Sequence, residues 1–281
     1  MGYEISLLTS MGISVLFALS LNLITGFCGQ ISLGHAAFLG IGAYLSALLS
    51  KAGLPFLATL PLAMLLAGAI GIVVGLASLR VRADFLAITT MGVGFLFVGV
   101  VRQQDWLGGE LGVSGIPESG LSKIAFMVLT MVLCVVAALL CMYLKKSWMG
   151  RVFNGIAEDE DTMRVLGIDV PMYKLAAFAI GTALAGLAGA LYAQHFKFIG
   201  PDSFGFIESV TVLSMVVVGG IGSVTGVIFG AAMLSALPAW FQFIGDYKLL
   251  VYGGLLFLMM RFSPDGVTGL VRRLAVKGGA K

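Results

Sequence analysis

The stretch KKSWMGRVFNGIAEDEDTMRVLGIDVPMYK, Lys145–Lys174, is the one long polar interruption in an otherwise apolar chain. It holds ten of the sequence's 31 Lys, Arg, Asp and Glu residues. A short helix can be read inside it. Asn154 is a favoured N-cap type, and Glu158, Asp159, Glu160 and Asp161 lie near the positive end of that helix's dipole, which stabilises carboxylates. Gly167 suits the left-handed position just past a helix end, and Pro171 follows where the helix has already stopped. Ile156, Met163, Leu166 and Val170, at spacings of 7, 3 and 4, make one narrow apolar stripe on a charged cylinder. Two readings of that stripe stand side by side. It is either a docking face for a partner protein, or a loop helix lying against its own bundle or the lipid headgroups.

The rest of the chain explains why this interruption matters. The 281 residues are 59% hydrophobic and 11% charged, with a mean hydropathy of +1.04. Soluble domains average about 25% charged residues, so the composition predicts an all-α, polytopic transmembrane bundle. A spanning helix needs ~20 apolar residues, which leaves room for roughly eight to ten spans in one domain over residues 1–281. A net charge of +3, with no basic run interleaved with aromatics, excludes a nucleic-acid partner and leaves membrane lipid as the surroundings. Three cysteines are an odd number without metal-ligand spacing. Cys134 and Cys141 on one helix would stand about 10 Å apart, too far to bridge. The N-terminus carries Glu4 and no basic n-region, so its first apolar stretch reads as a retained span rather than a signal peptide.

Apolar segments run over 5–25, 33–50, 56–79, 85–101, 124–144, 175–195, 208–219, 224–244 and 247–260. Lys and Arg set orientation. The interruption has Lys145, Lys146, Arg151, Arg164 and Lys174; the tail has Arg261, Arg272, Arg273, Lys277 and Lys281; Arg80 and Arg82 form a third cluster. All three are expected on the cytoplasmic side, which puts the loop 103–123 outside. GFCGQIS (26–32) is too polar and Gly-rich to continue a helix comfortably, and Gly219, Gly220, Gly222 and Gly226 crowd behind the short seventh segment. AYLSAL (43–48) echoes AMLSAL (232–237), each behind one of these breaks. Interrupted segments in corresponding halves point to a transporter's path, because half-helix ends offer free backbone groups to a solute. The competing explanation is that Ala, Leu, Ser and Gly are simply common in membrane helices.

Absences narrow the mechanism. His35, His195, Glu208 and Lys248 all lie near segment ends, and no acid sits mid-span, which disfavours an ion-coupled carrier. There is no G-x-x-x-x-G-K-[ST] phosphate cradle, no Ser/His/Asp set or zinc pair, and no calcium-loop spacing. No catalytic or metal-binding residues are assigned, and no cofactor. A transporter with neither ion nor nucleotide site either borrows its energy or runs downhill. Borrowing requires a docking surface, and residues 154–170 supply one.

Several stretches then resemble one family in order along nearly the whole chain: GFCGQISLGHAAFLGIGAYLSALL (26–49), VRADFLAITTMGVG (81–94), GVSGIP (112–117), MGRVFNGIAEDEDTMRVLGIDVPMYKLAAFAIGTALAGLAGALYA (149–193) and FGFIESVTVLSMVVVGGIGSVTGVIFGA (204–231). They are similar to branched-chain amino acid ABC-importer permeases of the LivM type. The resemblance implies a non-enzymatic permease subunit in the bacterial inner membrane, paired with a second, related permease. A periplasmic solute-binding protein would deliver the cargo, and two cytoplasmic ATPase subunits would hydrolyse the ATP. Ala157 to Gly167 resembles the family's coupling helix, so the candidate ATPase-coupling residues are Ile156, Ala157, Glu158, Met163, Arg164, Leu166 and Gly167. The acids at 158–161 replace small residues usual there. Gln30, Ser32, His35 and Glu208 stand in the matching Gly-rich motifs as candidate path residues. Each also has a structural reading: a helix cap for Ser32, satisfied packing for Gln30 and His35, a dipole-favoured helix start for Glu208. Members of the family also serve urea, short amides and aromatic acids. The rival reading is an ATP-independent facilitator or channel.

Overall fold

The computed structural model describes residues 2–78, 83–240 and 248–262, with 266 and 269, and each apolar segment read from the sequence carries a helix within its described residues. Helix α1 (Gly2–Leu21) widens into a π-helical stretch over Asn22–Phe27. After a break come α2 (His35–Lys51), α3 (Phe56–Ser78), α4 (Ala83–Gln103) and α5 (Lys123–Lys146). The polar interruption carries α6 (Trp148–Glu158) and α7 (Glu160–Val165). Then follow α8 (Val170–Phe196), α9 (Phe206–Gly219), α10 (Val224–Trp240) and α11 (Lys248–Phe262). Among the described residues, six segments are long and apolar enough to cross a membrane: Gly2–Phe27, Phe56–Ala77, Leu86–Gln103, Lys123–Lys146, Val170–Phe196 and Pro201–Gly219. Val224–Pro238 and Leu250–Met259 are shorter apolar helices. The chain is a polytopic helical membrane protein. Arg80, Arg82, Arg272, Arg273, Lys277 and Lys281, used above for orientation, lie outside the described residues.

Helix α8 is the hub, because its small residues let neighbouring backbones come close. A side chain at Gly186 would sit 2.5 Å from the Ala63 carbonyl oxygen of α3, and one at Gly189 would run into the Leu39 carbonyl of α2. Ala177, Ala185, Ala188 and Ala190 are wholly buried there. In contrast, α3, α4 and α5 turn Leu65, Phe95, Leu96, Val132, Val135 and Leu139 outward. Such a face is stable only against lipid or another apolar surface. The N-terminal stretch belongs to the core: Leu16, Leu19 and Leu21 are fully buried. Cys28, Cys134 and Cys141 are all free.

Contacts sort the connections into two ends. At the apical end, Val113 and Ser114 pair antiparallel with Ile199 and Phe198, Arg102 binds Asp202 at 2.6 Å, and Lys51 Nζ donates to the Ser114 carbonyl at 3.2 Å. Ser6 Oγ lies 3.3 Å from His195 Nε2, which puts the N-terminus at this end. The short ladder is an addition to the all-α expectation. The basal end gathers both Gly-rich breaks and residues 145–174. The loop 103–123 and the interruption therefore lie at opposite ends, as the charge pattern required.

The interruption departs from its single-helix reading. Ser147 is the first N-cap, its Oγ accepting from Gly150 N at 3.3 Å, so the helix starts early and Asn154 sits inside it rather than capping it. Asp159, extended at φ −158 and ψ 106, ends that helix and caps the next, accepting from Asp161 N at 2.9 Å and Thr162 N at 3.2 Å. A carboxylate at the N-terminus of α7 gains from the dipole as well as the hydrogen bonds, which an Asn cannot match. Gly167 does take the left-handed conformation, φ +81. Asp169 caps α8 with Pro171 in its first turn.

Candidate functional site

The basal end is held together by groups from distant parts of the chain. Gly29 is left-handed, φ +69, and a Cβ there would stand 3.0 Å from Ala157 Cα, so the first break rests directly on α6. Gln30 Nε2 donates to the Lys174 carbonyl at 3.0 Å, and its own carbonyl accepts from Thr25 Oγ1 at 2.9 Å. Lys174 in turn pairs with Glu160. The second break is tied in by Gly222, whose N–H donates to Asn22 Oδ1 at 2.9 Å and whose carbonyl accepts from Lys145 Nζ at 2.6 Å. A Cβ at Gly26 would lie 2.5 Å from Gly222 N, so the two breaks touch. The π-helical turn at the end of α1 is what brings Asn22 to Gly222; such turns widen a helix and recur at functional sites.

The apolar stripe divides. Ile156 is 2% exposed and Val170 wholly buried, so both face the bundle and neither is open to a partner, because α6 packs along the base of α8. Met163 is half-buried over Gly155. Leu166 at 69% exposed and Val165 at 88% point away from the chain, with Trp148 and Met172 also exposed. Ala157, Glu158, Arg164 and Gly167 are exposed too. Arg164 reaches Asp161 at 3.1 Å and Glu160 at 3.5 Å. Val165 escaped the sequence reading because it falls off the stripe's spacing. The Thr162 hydroxyl, then backbone N–H groups, hold the Asp159 carboxyl below the usual aspartate range.

Above the first break, the N-terminus of α2 is clothed by other helices. Leu33 N donates to Thr90 Oγ1 of α4 at 3.1 Å, and Ala36 N to Ser209 Oγ of α9 at 3.1 Å. Ser32 is therefore not the cap; its Oγ is buried without a partner. His35 Nε2 meets Ser20 Oγ at 2.8 Å, its ring stacks on Phe17 at 5.4 Å, and its Nδ1 is buried without a partner. Glu208 stands apart from Gln30, Ser32 and His35 in a cavity of about 220 Å³, which Ser14, Tyr192, Thr211, Ser235 and Tyr252 also line. None of those hydroxyls carried a sequence signal. At the apical end a cavity of about 520 Å³ opens between Glu118, Lys123, His195 and Lys197. Burial pulls the Lys197 ammonium below its ordinary value, while nearby Glu118 opposes the shift. Among the described residues no group of three His, Cys, Asp or Glu could hold a metal ion.

The sequence profile described as "Branched-chain amino acid transport system / permease component" matches residues 4–260. The chain is 35% identical over 300 residues to the high-affinity branched-chain amino acid transport system permease protein LivM of Escherichia coli K12, an alignment covering 95% of this chain and 71% of that protein. It is 29% identical over 286 residues to the corresponding permease protein BraD of Pseudomonas aeruginosa, 90% of this chain and 91% of BraD. The permease protein LivH of Salmonella typhimurium matches over 132 residues at 33% identity, 46% of this chain and 42% of LivH. No solved structure matches the chain.

Proposed function

The chain belongs to the family of branched-chain amino acid transport system permease components, and from that premise we propose that it is the membrane-spanning permease subunit of an ATP-driven importer whose cargo is a branched-chain amino acid. It works in the bacterial inner membrane beside a second, related permease. A solute-binding protein meets the apical end, and two ATPase subunits hydrolyse ATP against the basal end. The chain itself supplies no catalytic group and needs no cofactor of its own.

One observation carries the reading: α6 lies against the first Gly-rich break, Ala157 on Gly29, with nothing longer than the Ala157 methyl between them to absorb a displacement. A push on α6 and α7 therefore reaches the break, and through Gln30 and Lys174 the base of α8. Packed interiors transmit strain because they are close-packed and hardly compressible. Ala157, Glu158, Met163, Arg164, Leu166 and Gly167 belong to the surface the ATPase grips, with Val165 beside them. Ile156 has the complementary role of anchoring α6 to the bundle. Gln30, Ser32 and His35 then belong to the moving wall of the path.

Replacing Leu166 with Asp in the assembled complex tests the docking surface. A pull-down should lose the ATPase while the second permease stays bound; undiminished ATPase capture would refute the assignment. Flux of leucine through the purified chain alone in liposomes, without ATP or partners, would instead establish the facilitator reading.

A further inference from the structure

We propose that the cavity walled by α1, α2, α8, α9, α10 and α11 is a resting site for one free α-amino acid, with its ammonium at Glu208. This deepens the importer reading and rests on it. Drug-sized ligands take roughly 300–1,000 Å³, so a space of about 220 Å³ selects something nearer the size of a single amino acid.

The lining then chooses the chemistry. Glu208 is the one charged side chain among the described lining residues. Three of the hydroxyls have already committed their protons to helix carbonyls: Thr211 Oγ1 to Ile207 at 2.9 Å, Ser235 Oγ to Ala232 at 3.1 Å, and Tyr252 Oη to Leu234 at 2.9 Å. The last of these follows from Pro238, which has no N–H to give the carbonyl four residues earlier. What those oxygens present to the cavity is lone pairs, beside a carboxylate. An acceptor-rich wall of this kind suits an ammonium group, which brings three donors and no acceptor. Tyr192 is hydrogen-bonded to Ser203; Ser10 and Ser14, one turn apart on α1, are the remaining lining hydroxyls, and they face the amino acid's carboxylate. Ile13, Phe17, Leu39 and Met215 complete the wall as an apolar surface for a branched side chain. Phe17 also stacks on His35, so an occupant of the cavity touches the wall of the first break.

The test uses the complete complex in proteoliposomes with ATP and labelled leucine. Glu208→Gln should cut leucine uptake about tenfold or more, the size expected for losing one charge-assisted hydrogen bond, while ATP hydrolysis stays within about twofold. Leucine uptake by the unaltered complex together with uptake within twofold by Glu208→Gln overturns the cavity site and leaves the importer reading standing. No leucine uptake by the unaltered complex overturns both. Should Glu208→Gln fail to assemble, Ser14→Cys decides. Its reaction with a small thiol reagent, in a background without the native cysteines, should be slowed by excess leucine and not by 4-methylpentanoate, which lacks the ammonium. Equal rates with and without leucine overturn the proposal.

Discussion

The two Gly-rich breaks look alike in sequence and are wired differently. Each precedes a 17-residue helix, α2 behind the first and α10 behind the second, and the echoed AYLSAL and AMLSAL fall within those helices. The second break is largely self-sufficient: Ser223 caps its own helix, accepting from Gly226 N at 3.2 Å. The first has no local cap. Its freed N–H groups are met by Thr90 and Ser209, and Gly29 rests on Ala157. A locally capped turn can be carried as a rigid piece. A turn whose caps sit on two other helices, and which rests on a third, moves only when they do, and that makes the first break the responsive one.

The comparison fails if the two breaks tolerate change equally. The largest effect is expected at Gly34, where a Cβ would run into the Thr90 carbonyl, a backbone atom that cannot rotate away. Gly34→Ala should cost about 1–3 kcal/mol or more and lower the unfolding temperature in detergent by several degrees. Gly222→Ala, left-handed at φ +76 and 2.9 Å from the Gly26 carbonyl oxygen, should cost about 1–2 kcal/mol. A larger drop for Gly222→Ala than for Gly34→Ala would reverse the assignment.

Next in size is Ala157→Leu, whose added branch wedges between α6 and Gly29. Leucine uptake per ATP hydrolysed should fall about tenfold; an unchanged ratio would show that the contact transmits nothing. Lys145→Met removes the donor at 2.6 Å from the Gly222 carbonyl on an exposed side chain. The loss should be about 1 kcal/mol or less, seen as a shift of a degree or two in unfolding temperature and no change in transport. The smallest effect is at Asp159. Its folded-state pKa lies below the unfolded one, so the cap stabilises α7 above the ordinary aspartate range, about 3.9, and fades as pH falls through the lower folded value. The protection of amides 160–166, measured against their intrinsic exchange rates at each pH, should fall on acidification in that window, and Asp159→Ala should remove the dependence.

Much of this was legible in advance, and unevenly. The described parts of the apolar segments are helical because length and apolarity are local properties, and lipid forces backbone groups to pair within a segment. Gly167 was legible because a left-handed residue needs no distant partner. Asn154 misled because Ser147 is also a capping residue and starts the helix earlier, a competition between two local signals. Ile156 misled differently: a stripe drawn on one cylinder cannot say that the cylinder breaks at Asp159 and turns its two halves toward different neighbours.

By itself, the sequence determined that this chain lives in lipid, where most of its helices lie, and which stretch stays polar. Only the tertiary structure decided that the breaks touch each other and that α6 presses on Gly29. It also decided that Glu208 shares a cavity with hydroxyls from other helices. The partners of Leu33, Gln30 and Ala36 stand 57, 144 and 173 residues away. Hydropathy and capping act over a few residues, whereas such contacts exist only once α8 has drawn the other helices against its small side chains.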